Sequence, residues 1–398
     1  MRVVDVVQVS GYLDPIVVDF LDGALRSAER EGVEALIIQL DSPGALVDTV
    51  RLERLLSLIA EVDVPVAVWV GDSGASALGG AAHLVVAADL AGLAPGARIG
   101  DAPKTAFAEV PEALRRGRIG PGEAHELGLT QLNEEEAAVL GSFIAALDGH
   151  EAKGRQLRTA DFREVPDGPD EATLTVQARL SRLPLGSQLL HTVASPPVAY
   201  LLLTAGLALL VFELFTAGVG IAGVVGAVSL ALAGYGLAVL PTRPLGLALC
   251  LLGILGFSID VQTGVPRFWT GVGVVSYTAG SVLLFGEGVS VGWLALVGGL
   301  VGVVLMMLAG LPATVRSRFS TPTIGRESMV GELGEATVAV APEGTVRVRD
   351  ALWPARTNRA TPIDAGGGVR VVAIEGTVLE VEPEEGGARD YRERRPPS

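Results

Sequence analysis

A serine hydroxyl attacks a carbonyl only when a neighbouring base takes its proton, and this 398-residue chain offers few bases. It has four histidines, one cysteine and two lysines, Lys104 and Lys153. Nearly all its positive charge is therefore arginine, whose guanidinium holds its proton at any usable pH (pKa above about 12). Within Asp72-Ser73-Gly74-Ala75-Ser76 the candidate nucleophiles are Ser76 and Ser73, and the candidate bases nearby are His83 and Lys104. The chemistry would be acyl transfer. His83 shares a face with Ser76 on the helix expected after Gly74, but seven residues at about 1.5 Å each separate them by roughly 10 Å. That is beyond proton transfer, so His83 reads as a packed or pocket-edge histidine. Lys104, in Asp101-Ala102-Pro103-Lys104, lies in a loop able to approach the cleft or simply to be solvated. Ser73 and Ser76 are equally explained as N-cap or first-turn residues of that helix. Lys153, before Gly154 in a polar stretch, is expected to be solvated.

The elements that must position these residues belong to an α/β domain over residues 1–184. Apolar runs at Val3–Val9, Ala35–Leu40, Val64–Val70 and Leu90–Ala94 alternate with helical stretches, the pattern of a largely parallel sheet with crossovers. The first helix has Asp14 as N-cap, Pro15 at its first position, and Ile16, Phe20, Leu21, Ala24, Leu25 and Ala28 on one face before Gly32.

The composition is that of a membrane protein: 49% hydrophobic, with only 5% aromatic and 19% charged, and a mean hydropathy of +0.46. The apolar excess concentrates within residues 196–312. Five stretches there, Val198–Thr216, Ile221–Leu240, Leu245–Ile259, Trp269–Phe285 and Val291–Leu311, have the length and lack of charge of bilayer spans, the third being marginal in length. Arg316, Arg318 and Arg326 follow the last span, Glu287 precedes it, and Arg267 falls on the same side as those arginines, so the positive-inside tendency makes the C-terminus cytoplasmic. Five spans then put the N-terminal domain outside. Met1-Arg2-Val3-Val4 already reads as a strand with no signal segment before it, so this topology needs one upstream or a count of four spans. Glu213 lies near the end of the first span, where it reaches the interface or bonds a neighbouring helix. Trp269 and Trp293 read as interface anchors, and Cys250 as a small apolar filler.

Residues 326–385 hold five short alternating segments, Ala336–Ala341, Thr345–Arg349, Leu352–Ala355, Val369–Ile374 and Val378–Val381, divided by turns at Pro342-Glu343-Gly344 and Gly366-Gly367-Gly368. They fit a small OB-like barrel with Trp353 in its core. Eleven acidic residues against six basic ones in that segment argue against nucleic-acid binding, as does the chain's net charge of −15. One cysteine excludes internal disulfides and cysteine metal clusters; four scattered histidines make zinc improbable, and no cofactor is implied. Residues 386–398 are charged, Pro-ended and expected to be disordered.

Taken in order, the three parts resemble the long form of the NfeD family, membrane-bound relatives of the Clp-class serine proteases. The resemblance covers almost the whole chain. It rests on Leu40-Asp41-Ser42-Pro43-Gly44, on Ala87-Ala88-Asp89-Leu90 through Ile99-Gly100, on Pro196-Pro197-Val198-Ala199-Tyr200 with Phe212-Glu213-Leu214, and on barrel segments such as Leu352-Trp353-Pro354-Ala355. It implies a Clp-like (crotonase-type) fold for the first domain, peptide cleavage by a Ser–Lys dyad, and association with stomatin- or prohibitin-like membrane proteins. The bilayer and a second copy of the chain are further expected partners; nucleic acid is not.

Carried onto this sequence, the family's oxyanion turn falls on Gly44 and Ala45, with Gly80 at the facing helix start. Ala45 stands where a second glycine is usual. The family's serine falls on Gly79 and its lysine near Arg115, so neither group of the dyad is present. The reading that follows is a membrane-anchored protease fold acting as scaffold or partner. The alternative is a working serine endopeptidase using Ser76 or Ser73 with Lys104. A crotonase-type acyl-CoA enzyme shares the fold, but nothing suggests a CoA site.

Overall fold

The structure, a computed structural model, describes residues 2–104, 110–163, 171–216, 220–263, 268–286, 288–311, 313, 326–357 and 361–385. Arg267, Glu287, Arg316, Arg318 and the segment 386–398 lie outside the described residues. The chain divides into two compact units, Met1–Val315 and Arg316–Ser398.

The first unit opens with β1 (Arg2–Ser10), α1 (Pro15–Glu31), β2 (Ala35–Asp41), α2 (Thr49–Glu61), β3 (Val66–Val70), β4 (Ser76–Leu78), α3 (Ala82–Ala87) and β5 (Leu90–Leu93). It continues with β6 (Arg98–Gly100), α4 (Glu112–Arg116), β7 (Arg118–Ile119), α5 (Pro121–Glu126), α6 (Leu140–Ala146), β8 (Glu151–Ala152), β9 (Arg155–Gln156), β10 (Ala160–Arg163), β11 (Glu171–Leu174) and β12 (Val176–Ser181). The main sheet has the order β12-β1-β2-β3-β5, every pair parallel. Helices cover both faces, which is why β3 is apolar and buried at every position. Leu21, Leu25 and Leu56 fill one face; Trp69 and Phe143 fill the other. This is the α/β architecture the alternating runs predicted.

α1 begins and ends as predicted. The Val17 amide donates to Asp14 Oδ1 at 2.8 Å, and Gly32 closes the helix at φ +62°. Its inward stripe is Val17, Val18, Leu21, Leu25 and Ala28, with Ile16, Phe20 and Ala24 at the margins, so the helix is rotated slightly from the expected face.

The helix expected right after Gly74 is corrected: Ser76–Leu78 form strand β4, and a 3-10 turn at Gly79–Ala81 leads into α3. β4 is fixed from both sides, pairing with β6 and receiving a bridge from Ser42, so tertiary pairing overrides a local helical pattern.

Five helices follow the linking helix α7 (Leu185–Val193): α8 (Pro196–Thr216), α9 (Ile221–Val239), α10 (Pro244–Thr263), α11 (Phe268–Leu283) and α12 (Trp293–Leu305). Among the described residues, four are long and apolar enough to cross a bilayer, over Pro196–Phe215, Ile221–Val239, Pro244–Val261 and Trp293–Gly310. The fifth expected stretch is α11, which falls short of that length among the described residues. The segment expected to be marginal, α10, runs 20 residues, whereas α11 has only 16.

Glycines let paired helices approach. A Cβ at Gly226 would sit 3.1 Å from Gly206 O in the α8–α9 hairpin. In α10–α11 one at Gly280 would meet Cys250 N at 2.5 Å and its Sγ at 2.8 Å, so residue 280 packs against Cys250 only without a side chain. Each hairpin is closed at its far end by a carboxylate. Gly220 N donates to Glu213 Oε1 at 2.9 Å and Thr270 N to Asp260 Oδ2 at 2.7 Å, so each acid caps the start of the next helix. Between hairpins, Tyr277 donates to Thr204 at 2.7 Å and Tyr200 to Ser281 at 3.2 Å, a reciprocal buried pair.

The second unit is a closed barrel of β13 (Leu333–Val338), β14 (Glu343–Val348), β15 (Ala351–Thr357), β16 (Gly368–Glu375) and β17 (Val378–Pro383). Its order is β13-β14-β15-β17-β16, antiparallel except for β15–β17, as in an OB barrel. Val346, Val369, Leu379 and Val381 fill it, and Trp353 packs against them only partly buried.

Candidate functional site

The strand-to-helix junctions after β2 and β4 face each other across a cleft of about 300 Å³ lined by Gly44, Ala45, Gly79 and Gly80. Ser42, fully buried, sets the first turn: its hydroxyl donates to Gly44 O at 3.0 Å, and its backbone bonds Ser76 and Leu78 on either side of Ala77. Gly79 has φ +57°, in the left-handed region, and a Cβ there would meet only Gly44 Cα at 3.4 Å. Gly80 has no such room: a Cβ would lie 2.6 Å from that of Ala45. The methyl that Ala45 adds to the turn is thus accommodated because residue 80 lacks one.

The other walls come from elsewhere. Asp101 and Arg118 line the cleft as an ion pair of 2.6 Å, brought there by the Gly100–Arg118 pairing of β6 and β7. Both are substantially exposed, so the pair contributes little stability. Tyr12 donates to Gly288 O at 3.3 Å, and burial pushes its phenol up, keeping it a neutral donor. Pro241, Gly288 and Val289, from the loops joining spans, close the remaining side.

The candidate nucleophiles and bases are not assembled here. Ser76 Oγ and Ser76 N both bond Asp41 Oδ1, at 3.2 and 2.9 Å, and Ser73 Oγ donates to Pro95 O at 2.7 Å. The capping interpretation of both serines is overturned along with the helix it assumed. Lys104 is exposed in its loop, with no hydrogen bond or ion pair among the described residues. Arg115 is exposed on α4; the guanidinium at the cleft is that of Arg118, three residues on, which sequence register missed.

His83 is packed, as expected: it is fully buried, its Nε2 faces Pro103 O at 2.9 Å, and burial pushes its pKa down. Lys153 is not solvated, a correction. Its ammonium donates to Ile59 O, Ala60 O and Val62 O, capping the C-terminus of α2, and stands 3.8 Å from Asp89.

One titratable pair escaped the sequence because 177 residues separate its members. His191 on α7 faces buried Asp14 through Nδ1 at 2.7 Å and Ser10 O through Nε2 at 2.8 Å. Two acceptors require two donors, so the imidazolium is favoured, and the Asp14 carboxylate raises its pKa.

Residues 197–311 match the model for the NfeD integral membrane domain, and residues 326–383 that for the NfeD-like C-terminal, partner-binding domain. The chain carries an NfeD membrane domain and an NfeD C-terminal domain. The chain is 28% identical to the membrane-bound protease PH1510 of Pyrococcus horikoshii, over 98% of its own length and 95% of the relative's. Among solved structures it is similar to 1510-N, a membrane protease specific for a stomatin homolog from Pyrococcus horikoshii, with 22% identity, 48% of this chain and 98% of that chain covered, and a TM-score of 0.38. It is also similar to the C-terminal domain of stomatin operon partner protein 1510-C from the same organism, with 39% identity, 16% and 97% covered, and a TM-score of 0.15.

Proposed function

We propose that this NfeD protein retains the protease cleft as a peptide-binding scaffold and does not cleave by the Ser–Lys mechanism. The observation that carries this is Gly79. The residue at the junction where the family serine falls has no side chain, and neither lysine supplies a base, Lys104 being exposed in its loop and Lys153 engaged under α2. The Gly44 amide turns back to Ser42 Oγ at 3.4 Å, which leaves the backbone of Ala45 and Gly80 as the groups to hold a peptide carbonyl, and holding is all they do without a nucleophile. The barrel is read as the module that engages a stomatin-like membrane protein, in keeping with the partner-binding family domain and the relatives' specificity.

We further propose domain limits of 1–184, 196–312 and 326–385, with the N-terminal domain extracytoplasmic and the C-terminal barrel cytoplasmic. Supporting this, α8–α12 alternate in direction. Leu240, Leu284 and Val291 cluster with Leu46 of the soluble domain, while Phe215, Val261 and Leu311 cluster at the other end. Five crossings, with α11 the short one, carry the chain to the far side, where Arg316, Arg318 and Arg326 follow.

The test is a fluorophosphonate probe on the full-length protein in detergent, with a competent serine peptidase as positive control. No labelling is expected. Labelling abolished by Ser76→Ala or Ser73→Ala would refute the scaffold reading and establish the shifted nucleophile.

A further inference from the structure

α7 links the soluble domain to the first span, and two leucines stand uncovered on its outer face. Leu185 and Leu189, one turn apart, are 84% and 54% exposed. The helix has a single ionisable side chain, His191, and that is turned inward to Asp14 and the Ser10 carbonyl. The exposed surface is therefore uncharged, two leucines with Gln188 and Thr192 as its polar members.

Its position says what covers it. Only Ala194 and Ser195 separate α7 from the start of α8. The C-terminal end of α7 reaches the bundle: a Cβ on Gly236 of α9 would lie 2.5 Å from Val193 O. Gly236 is three residues short of the end of that span, about 4.5 Å along the helix axis. The end of α7 thus sits at the depth of a span's last turn, which is the boundary between headgroups and acyl chains. A helix at that depth with leucines outward and its one charge satisfied inward has the make-up of an interfacial helix.

We propose that α7 is an in-plane membrane helix whose Leu185 and Leu189 are immersed in lipid at that boundary. The occupant is the bilayer that already surrounds α8 and α9, and no basic residue on α7 calls for anionic lipid. The cleft beside it, already closed on one side by Pro241 and Val289, is held against the membrane surface.

The chain's single cysteine makes the test direct. The full-length protein, with Cys250→Ser (or Cys250→Ala should the serine variant misfold), receives Leu185→Cys or Leu189→Cys and an environment-sensitive fluorophore, in phosphatidylcholine nanodiscs. Arg26→Cys on α1 is the aqueous reference and Leu255→Cys in α10 the mid-bilayer one. The expected result is at least threefold less quenching by iodide than at Arg26→Cys, with stronger quenching by lipids spin-labelled near the headgroup than near the chain end. Iodide access equal to that of Arg26→Cys would overturn the proposal. Protection from both quenchers would also overturn it, showing protein, such as a second copy, on this face.

Discussion

Replacing Gly79→Ser restores the atom the cleft lacks and separates loss of a nucleophile from loss of the site. The added Cβ would meet Gly44 Cα at 3.4 Å, an ordinary contact, so sterics are neutral. The backbone at φ +57° is the cost: the left-handed region disfavours a side-chain-bearing residue by about 1–2 kcal/mol. For a domain of this size that is a fall of roughly 2–8 °C in Tm, so the variant folds. The cation at the cleft is Arg118, ion-paired to Asp101, and cannot accept a proton. Without a general base the new hydroxyl forgoes about 10²–10⁴-fold in rate. The assay pairs a thermal-shift scan with fluorophosphonate labelling of Gly79→Ser, Arg118→Lys and the double variant. Faint or absent labelling is expected in each single variant, with any gain confined to the double one. Labelling of the parent chain, or collapse of Gly79→Ser, would refute the argument that the fold kept the room while the chemistry left.

Gly80→Ala forces two methyls to 2.6 Å and is expected to cost about 1–3 kcal/mol, most of it returned by Ala45→Gly in a double-mutant thermal-shift cycle. Lys153→Met removes the cation under three carbonyls of α2; a loss of roughly 1.5–3 kcal/mol is expected in denaturant titration, although the residue reads as a surface lysine. The His191 contribution follows its raised pKa: it is fully present below the ordinary histidine value of about 6.5 and is lost as pH rises through the higher folded value. His191→Gln should therefore flatten the Tm-against-pH curve over that range, and an unchanged curve would contradict the Asp14 pairing.

The parallel sheet was legible because its strands are near-continuous apolar runs, and α1 because Asp14 and Gly32 mark its ends. The barrel was legible from period-two alternation between turns. Gly79 could be flagged from its position between two matching segments. What failed was whatever depends on distant partners. Ser76 reads as helical until Ser42 and β6 hold it in a strand, and Lys153 reads as solvated until α2 ends above it. The length of α10 was underread because Asp260 looks like a terminator, whereas its carboxylate has Thr270 as partner and stays inside the helix. Arg118 displaced Arg115 because β7 is two residues long and leaves no periodic trace.

The two carboxylate-closed hairpins have a meaning for how the chain is made. Glu213 waits for an amide seven residues later and Asp260 for one ten residues later. At a synthesis rate of about 5–20 residues per second, that interval is roughly a second. Neither acid need enter the bilayer alone, because its neutralising helix start leaves the ribosome almost with it. The natural units of insertion are then the pairs α8–α9 and α10–α11, each supplying the partner of its own carboxylate, with the Tyr200–Ser281 and Tyr277–Thr204 bonds and α12 joining afterwards.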